Sequence, residues 1–204
     1  MQKIKNIIFD LGGVILDVDY NLTRVAFEKL GVTNFDEMYS QANADKLFQK
    51  LETGEITDDI FYKEFNRCTG LHLSDEEIRK AWNEMLLSFR GKSLQFLERI
   101  RPKYKTYLLS NTNYVHIAAF KQTLHRQIGV KTLEEYFDEA FYSCEIGLRK
   151  PDAACYEWVL KNLKIAPGAT LFIDDSVHNI EGAKKAGLQT IHLLPGVQIE
   201  DLGL

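Results

Sequence analysis

The first apolar run, Ile4 to Phe9, is short, β-branched and aromatic, the pattern of a strand buried on both faces. It ends in a carboxylate, Asp10, and Gly12-Gly13 follow at once, where the backbone can turn tightly. Beyond Ile15 the apolar period becomes helical. Leu22, Val25, Ala26 and Leu30 predict one helix, stopped by Gly31. Leu47, Phe48 and Leu51 predict another, ending near Gly54. A third, capped by Thr57, carries Ile60, Phe61 and Phe65. Ser74 and Glu77 form a capping box for a fourth, whose apolar face runs Ile78, Ala81, Trp82, Met85, Leu86 and Phe89. Short connections let these helices pack as a small bundle.

Around Arg90-Gly91-Lys92 the pattern changes. A helix with Leu94 and Leu97 closes at Pro102, and strands then alternate with helices. Strands are expected at Thr106–Leu109, Glu139–Tyr142, Thr170–Ile173 and Thr190–Leu193. Helices are expected from about Tyr114, from Pro151, and over Ile180–Ala186. Such alternation implies an α/β fold, a doubly wound parallel sheet with helices on both faces. The first strand joins that sheet. Residues 1–16 and 91–204 then form the core, and 17–90 an inserted helical bundle that can act as a lid.

In a parallel sheet the strand ends share one edge, where open α/β sheets bind ligands. Four strands lead there to reactive side chains: Asp10; Ser110-Asn111-Thr112-Asn113; Arg149-Lys150-Pro151; and Asp174-Asp175-Ser176. Asp10, Asp174 and Asp175 supply hard oxygen ligands suited to Mg²⁺. Without a cation they would repel one another. Ser110 and the backbone N–H groups after it suit phosphate. Lys150 adds a cation, aimed by Pro151 at the first helical position. Asp10 reads as a nucleophile.

The sequence has 204 residues, 45% hydrophobic and 26% charged, the composition of an ordinary globular protein. A net charge of −4 provides no basic footprint for nucleic acid, so an anionic ligand must be held by local groups. No stretch suits a membrane span. The apolar run after Met1-Gln2-Lys3 is broken by Asp10 too early for a signal peptide. Cys68, Cys144 and Cys155 have neither zinc nor disulfide spacing. These features predict a cytoplasmic protein without nucleic-acid or membrane partners.

Taken together, Phe9-Asp10-Leu11-Gly12-Gly13-Val14, Leu109-Ser110-Asn111-Thr112-Asn113, Arg149-Lys150-Pro151-Asp152 and Phe172-Ile173-Asp174-Asp175-Ser176 with Asn179 resemble the four motifs of the haloacid dehalogenase superfamily, in order and across nearly the whole chain. The resemblance implies a Rossmann-like core of strand order 3-2-1-4-5 with a helical cap over residues 17–90. It implies a Mg²⁺-dependent phosphatase acting through an aspartyl-phosphate on Asp10. Asp10, the Gly12 carbonyl, Asp174 and Asp175 would hold the metal, with Asn179 orienting the shell. Ser110 and Asn111 would hold the phosphate, and Lys150 would neutralise nucleophile and phosphoryl group.

One position departs from that pattern. Family phosphatases usually carry an acid/base aspartate two residues after the nucleophile, and here Gly12 stands there. Losing such a group costs ~10²–10⁴-fold in rate. Three readings follow: an ester with an easy leaving group, such as a sugar phosphorylated at its anomeric carbon; a proton borrowed from Asp17, Asp19, Tyr20 or His116; or phosphate-ligand binding without turnover. The sequence is similar to a subgroup with Asp-Leu-Gly and Ser-Asn-Thr-Asn motifs that includes enzymes acting on glucose 1-phosphate and related sugar phosphates. A phosphatase for a small phosphorylated metabolite, a sugar phosphate above all, is therefore expected. The alternatives are a 2-haloacid dehalogenase, for which paired Asp174-Asp175 would be odd, and a non-catalytic phosphate-ligand protein. Phe61, Phe65 and Trp82 fit cap core better than pocket lining. Gly54-Glu55-Ile56-Thr57 reads as a turn or as a specificity loop.

Overall fold

The computed structural model describes residues 2–39, 46–129 and 132–204. Met1, at the head of the stretch read for a leader, and residues 40–45, inside the expected insertion, lie outside the described residues. The chain opens with β1 (Asn6–Phe9) and β2 (Leu16–Val18). It continues through α1 (Tyr20–Lys29), α2 (Phe35–Met38), α3 (Lys46–Glu52), α4 (Asp58–Thr69) and α5 (Asp75–Asn83) to β3 (Leu86–Phe89). Then follow α6 (Gly91–Ile100), β4 (Lys105–Ser110), α7 (Tyr114–Ile128), β5 (Glu139–Tyr142), α8 (Ser143–Ile146), α9 (Ala153–Leu163), β6 (Thr170–Asp174), α10 (Val177–Lys185) and β7 (Gln189–His192).

Five strands make one parallel sheet in the order β5-β4-β1-β6-β7. Numbered along the chain within that sheet, this is the 3-2-1-4-5 order. β1 is central, and alternate residues face opposite layers because the strand period is two. Ile7 and Phe9 pack with Leu94 and Leu97 of α6 and Phe120 and Leu124 of α7. Ile8 packs with Tyr156 and Val159 of α9 and Ile180 and Ala183 of α10. Both faces are thereby covered. The backbone N–H of Asp10 donates to the Ile173 carbonyl at 2.9 Å, so the ladder runs one residue past β1 and fixes the start of the next turn.

A second core lies between Phe27 and Met85, built on Phe27, Phe35, Phe48, Phe61, Phe65 and Trp82. Phe27 lies 4.8 Å from the rings of both Phe35 and Phe65. Phe61, Phe65 and Trp82 are fully buried there, so they belong to this core and do not line the cavity described below. Truncating a fully buried Trp such as Trp82 to Ala costs about 3–5 kcal/mol. Trp82 also stacks on His116 of α7, with ring centroids 4.7 Å apart, and so ties the helical bundle to the sheet layer.

The structure corrects several local expectations. The face running from Ile78 to Phe89 is not one helix. α5 ends at Asn83, and Leu86–Phe89 is a strand paired antiparallel with Leu16–Val18. Thr23 explains the stop: its hydroxyl donates to the Trp82 carbonyl at 3.1 Å and accepts from the Met85 N–H at 3.0 Å, capturing groups at the helix end. Pro151 is not the first residue of a helix. α9 starts at Ala153, after a turn in which the Asp152 N–H donates to the Arg149 carbonyl at 3.2 Å. Thr57 precedes α4, but its hydroxyl donates to the Asp59 carboxylate and caps no backbone group. The capping box of Ser74 and Glu77 is present.

Candidate active site

Lys150 is the centre of the sheet edge. It is 1% exposed, and its ammonium donates to Asp10 Oδ1 at 2.7 Å and to Asp174 Oδ2 at 2.8 Å. Its backbone is held as firmly. The Asn111 amide donates to the Lys150 carbonyl at 2.8 Å and accepts from the Lys150 N–H at 2.9 Å. Asn111, expected to hold phosphate, thus spends its side chain on placing the lysine. Burial alone would lower the pKa of Lys150, but Asp10 and Asp174 outweigh it and keep the ammonium charged.

Asp174 is saturated. Oδ1 accepts from the Ser176 N–H at 2.8 Å and the Asn179 amide at 3.0 Å, and Oδ2 accepts from Lys150 and from Asn179 at 3.1 Å. The Asn179 carbonyl in turn accepts from the Tyr156 hydroxyl at 2.8 Å. Asp175 reaches across to the turn after β1. A Cβ at Gly13, whose φ is +69°, would stand 2.1 Å from Asp175 Oδ2, so glycine is required by both the backbone and the neighbour. Arg90 braces the same turn, donating to the Gly13 carbonyl at 2.7 Å, the Val14 carbonyl at 3.1 Å and Asp17 Oδ1 at 2.6 Å.

Oxygens of Asp10, Asp174 and Asp175 all lie within 4.8 Å of one another. Burial pushes the Asp10 carboxyl up to about 7, against Lys150 and with the help of Asp174 and Asp175. Burial likewise raises Asp175, reinforced by Asp174. Asp10 and Asp174 thus share the Lys150 ammonium, with Asp175 beside them, an arrangement that a hard divalent cation completes. The donor set fits Mg²⁺, with Asp174 bound to the lysine and Asp10 and Asp175 the freer ligands.

Asp10 and Lys150 open on a cavity of about 370 Å³, in the range of small-ligand sites. Asp10, Gly12, Ser110, Asn111, Lys150 and Asn179 line it, with Tyr20, Tyr39, Glu52 and Arg149. Ser110 closes β4 and is buried. The loop after it is pinned by Ser143, whose hydroxyl accepts from the Thr112 N–H at 2.8 Å and donates to its carbonyl at 2.9 Å.

The four proton sources near Gly12 separate cleanly. Asp17 pairs with Arg90, and Asp19 caps α1 through the Asn21 N–H at 2.9 Å. His116 is buried against Trp82 and Asn113. Of the four, Tyr20 lines the cavity. Tyr20 as a whole is 38% exposed; its phenol is held above the ordinary range by desolvation on the cavity side and then by Asp175 and Asp10, so it is protonated at neutral pH.

Sequence reasoning passed over Tyr39 and Glu52, and it placed Arg149 at the sheet edge and in the third motif without giving it a role. Glu52 reads as a plain helix end and Arg149 as a neighbour of Lys150. Nothing in their spacing marks them as cavity-lining, because the second core and the sheet edge meet only in three dimensions. The glycine at 54 is the local sign of that meeting. It has φ +69°, and a Cβ there would lie 2.2 Å from the Cys144 carbonyl oxygen. Gly54 is therefore a turn pressed against the core, next to α3.

Comparison with known proteins accords with this geometry. Residues 4–187 match the family of haloacid dehalogenase-like hydrolases. A D-ribitol-5-phosphate phosphatase from Bacteroides thetaiotaomicron is 33% identical over 187 residues, covering 92% of this chain and 90% of the relative. A crystal structure of a mutant HAD family enzyme from Bacteroides thetaiotaomicron, in complex with magnesium and inorganic phosphate, superposes with a TM-score of 0.92 at 31% identity. It covers 98% of this chain and 99% of that one. The L-2-haloacid dehalogenase from Xanthobacter autotrophicus, at 20% identity and a TM-score of 0.60, covers 92% of this chain and 76% of its own; it shares the fold alone.

Proposed function

The chain belongs to the haloacid dehalogenase-like hydrolases, and on that premise we propose that it is a Mg²⁺-dependent phosphomonoesterase for a small sugar or polyol phosphate. The observation that carries this is Lys150 held between Asp10 and Asp174, with three carboxylates gathered within 4.8 Å at one sheet edge. A dehalogenase attacking carbon needs no metal, so the paired Asp174-Asp175 would be odd for it. The 33% identical relative named as a D-ribitol-5-phosphate phosphatase supports the substrate class.

In this reading Asp10 is the nucleophile. Its carboxylate oxygen forms a bond to phosphorus as the ester P–O bond breaks, leaving an aspartyl-phosphate. Lys150 stays bound to Asp10 and offsets charge on the transferring group. Ser110 and the N–H groups of its loop hold the phosphoryl oxygens. Asp10, Asp175 and the Gly12 carbonyl, beside Asp174, would hold Mg²⁺, which would supply positive charge to offset the negative charge of the phosphoryl oxygens. Asn179 keeps Asp174 in place, and Asn111 keeps Lys150 in place. Tyr20 donates the proton to the leaving oxygen and, as the phenolate, takes it back from the water that attacks phosphorus. Water releases phosphate and restores Asp10. Residues 17–90 act as the cap, excluding bulk water and selecting the leaving group.

The free cysteines, with Cys144 and Cys155 buried, support a reducing cytoplasmic location. No helix among the described residues is long and apolar enough to cross a membrane. The test is phosphate release from a panel of sugar and polyol phosphates. Turnover is expected with Mg²⁺, abolished by chelator and by Asp10→Asn. Release from no member of the panel, or release that survives Asp10→Asn, overturns the proposal.

A further inference from the structure

Two charged side chains line the cavity but take no part in the phosphoryl chemistry: Glu52, the last residue of α3, and Arg149. Arg149 Nη2 lies 2.8 Å from Glu52 Oε2, and the side chains are 19% and 8% exposed. The contact is one of charge and distance, off the hydrogen-bonding direction. Glu52 Oε2 and Arg149 Nε are both buried without a hydrogen-bond partner. A buried ion pair with unused hydrogen-bonding capacity is costly in an empty site, and such orphaned groups need an explanation. Here the explanation is a ligand, because the same two residues wall the cavity into which Asp10, Ser110 and Lys150 face.

The pair restricts what that ligand is. A second anion would be repelled by Glu52, and an ammonium by Arg149. An alkyl chain would leave both groups unsatisfied. A hydroxyl donates to a carboxylate and accepts from a guanidinium, and two neighbouring hydroxyls can serve both at once. Tyr20 and Tyr39, with ring centroids 6.3 Å apart, add aromatic surface for the carbon skeleton between such hydroxyls. The close contact of Gly54 with the Cys144 carbonyl sets the end of α3 against the core, so Glu52 is presented at a fixed place.

We propose that Glu52 and Arg149 form the leaving-group subsite and select phosphate esters whose carbon chain carries adjacent hydroxyls. The proposal rests on the phosphomonoesterase reading only for where the phosphate sits.

The test compares two esters of equal chain length, a pentitol phosphate and n-pentyl phosphate, on the whole protein with Mg²⁺. A site built for hydroxyls rejects the analogue lacking them, because its polar groups are then left unpaired. Wild type is expected to favour the pentitol ester by at least ~100-fold in kcat/KM. Glu52→Gln raises KM for the pentitol ester by about tenfold with kcat little changed, the effect of losing a charged acceptor. kcat/KM for the pentyl ester does not fall in parallel, because that ester makes no bond to Glu52. Arg149→Lys, which keeps the charge but loses the fork, narrows the preference in the same direction. Equal use of the two esters by wild type, or equal loss on both in Glu52→Gln, overturns the subsite. If wild type hydrolyses neither ester, the hydrolytic reading fails and the subsite is judged by calorimetric binding. Preferential binding of the pentitol ester that is lost in Glu52→Gln upholds it, and equal binding of the two refutes it.

Discussion

His116 couples the helical bundle to the sheet layer, and its environment makes that joint sensitive to acid. Nε2 lies 3.2 Å from the Trp82 carbonyl, which only accepts, so Nε2 carries the proton. Nδ1 lies 3.3 Å from the Asn113 amide nitrogen. The other end of that amide accepts from the His116 N–H at 3.0 Å, which fixes its orientation and makes it a donor to a bare Nδ1. Protonating Nδ1 therefore sets donor against donor in a buried site. Burial holds the imidazole down at about 4 against an ordinary 6.5, with the Trp82 carbonyl pulling weakly the other way. The folded state binds this proton less readily than the unfolded state. Its contribution to stability is thus fully present above 6.5 and is lost as pH falls toward 4. The interval corresponds to on the order of 3 kcal/mol, most of it lost between pH 7.5 and 4.5. Urea unfolding of wild type and His116→Gln at those two pH values isolates it. Carboxylates such as Asp10 titrate in both proteins and cancel in the difference. The advantage of wild type over the variant should shrink by on the order of 2–3 kcal/mol at the lower pH. An advantage that does not change with pH, or an imidazole resonance of His116 titrating near 6.5, would refute the reasoning.

Gly13→Ala should abolish Mg²⁺-dependent turnover while the fold persists by circular dichroism, because its methyl would displace the Asp175 carboxylate from the cluster. Gly54→Ala places a methyl against the Cys144 carbonyl in a left-handed backbone. Expected are a stability loss of about 1–3 kcal/mol, read by thermal unfolding, and a larger KM for the hydroxylated ester. Tyr20→Phe should lower kcat for an alkyl phosphate by ~10²-fold or more and leave 4-nitrophenyl phosphate, whose leaving group needs no proton, nearly unaffected. Equal effects on the two esters would remove Tyr20 from the proton path.

Much of this fold was legible because its signals are local. Alternation after Arg90, the apolar run into Asp10 and the capping box at Ser74 each report on their own neighbourhood, and parallel topology then brings the strand ends to one edge. The misread stretches were decided by distant partners. Met85–Phe89 has helical spacing, yet Thr23 takes the groups at the helix end and β2 offers a strand to pair with. Pro151 looks like a helix start, but the turn that aims Lys150 delays α9 by two residues. At the site, the carboxylates and Lys150 stood out by motif. Glu52 and Tyr39 did not, and Arg149 stood in a motif without a role, since their shared cavity exists only once the bundle rests on the sheet edge. Gly12, the departure in the sequence, became tractable when the structure put Tyr20 in the cavity and the other three proton sources elsewhere.

The most direct test of the central claim is chemical trapping on Asp10. Wild-type protein with Mg²⁺ and a pentitol phosphate would be acid-quenched within a single turnover, digested and analysed by mass spectrometry. The account predicts a phosphoryl group on the peptide containing Asp10, absent with chelator and absent from Asp10→Asn. Full turnover with the phosphoryl group on another residue, or in Asp10→Asn, would contradict it.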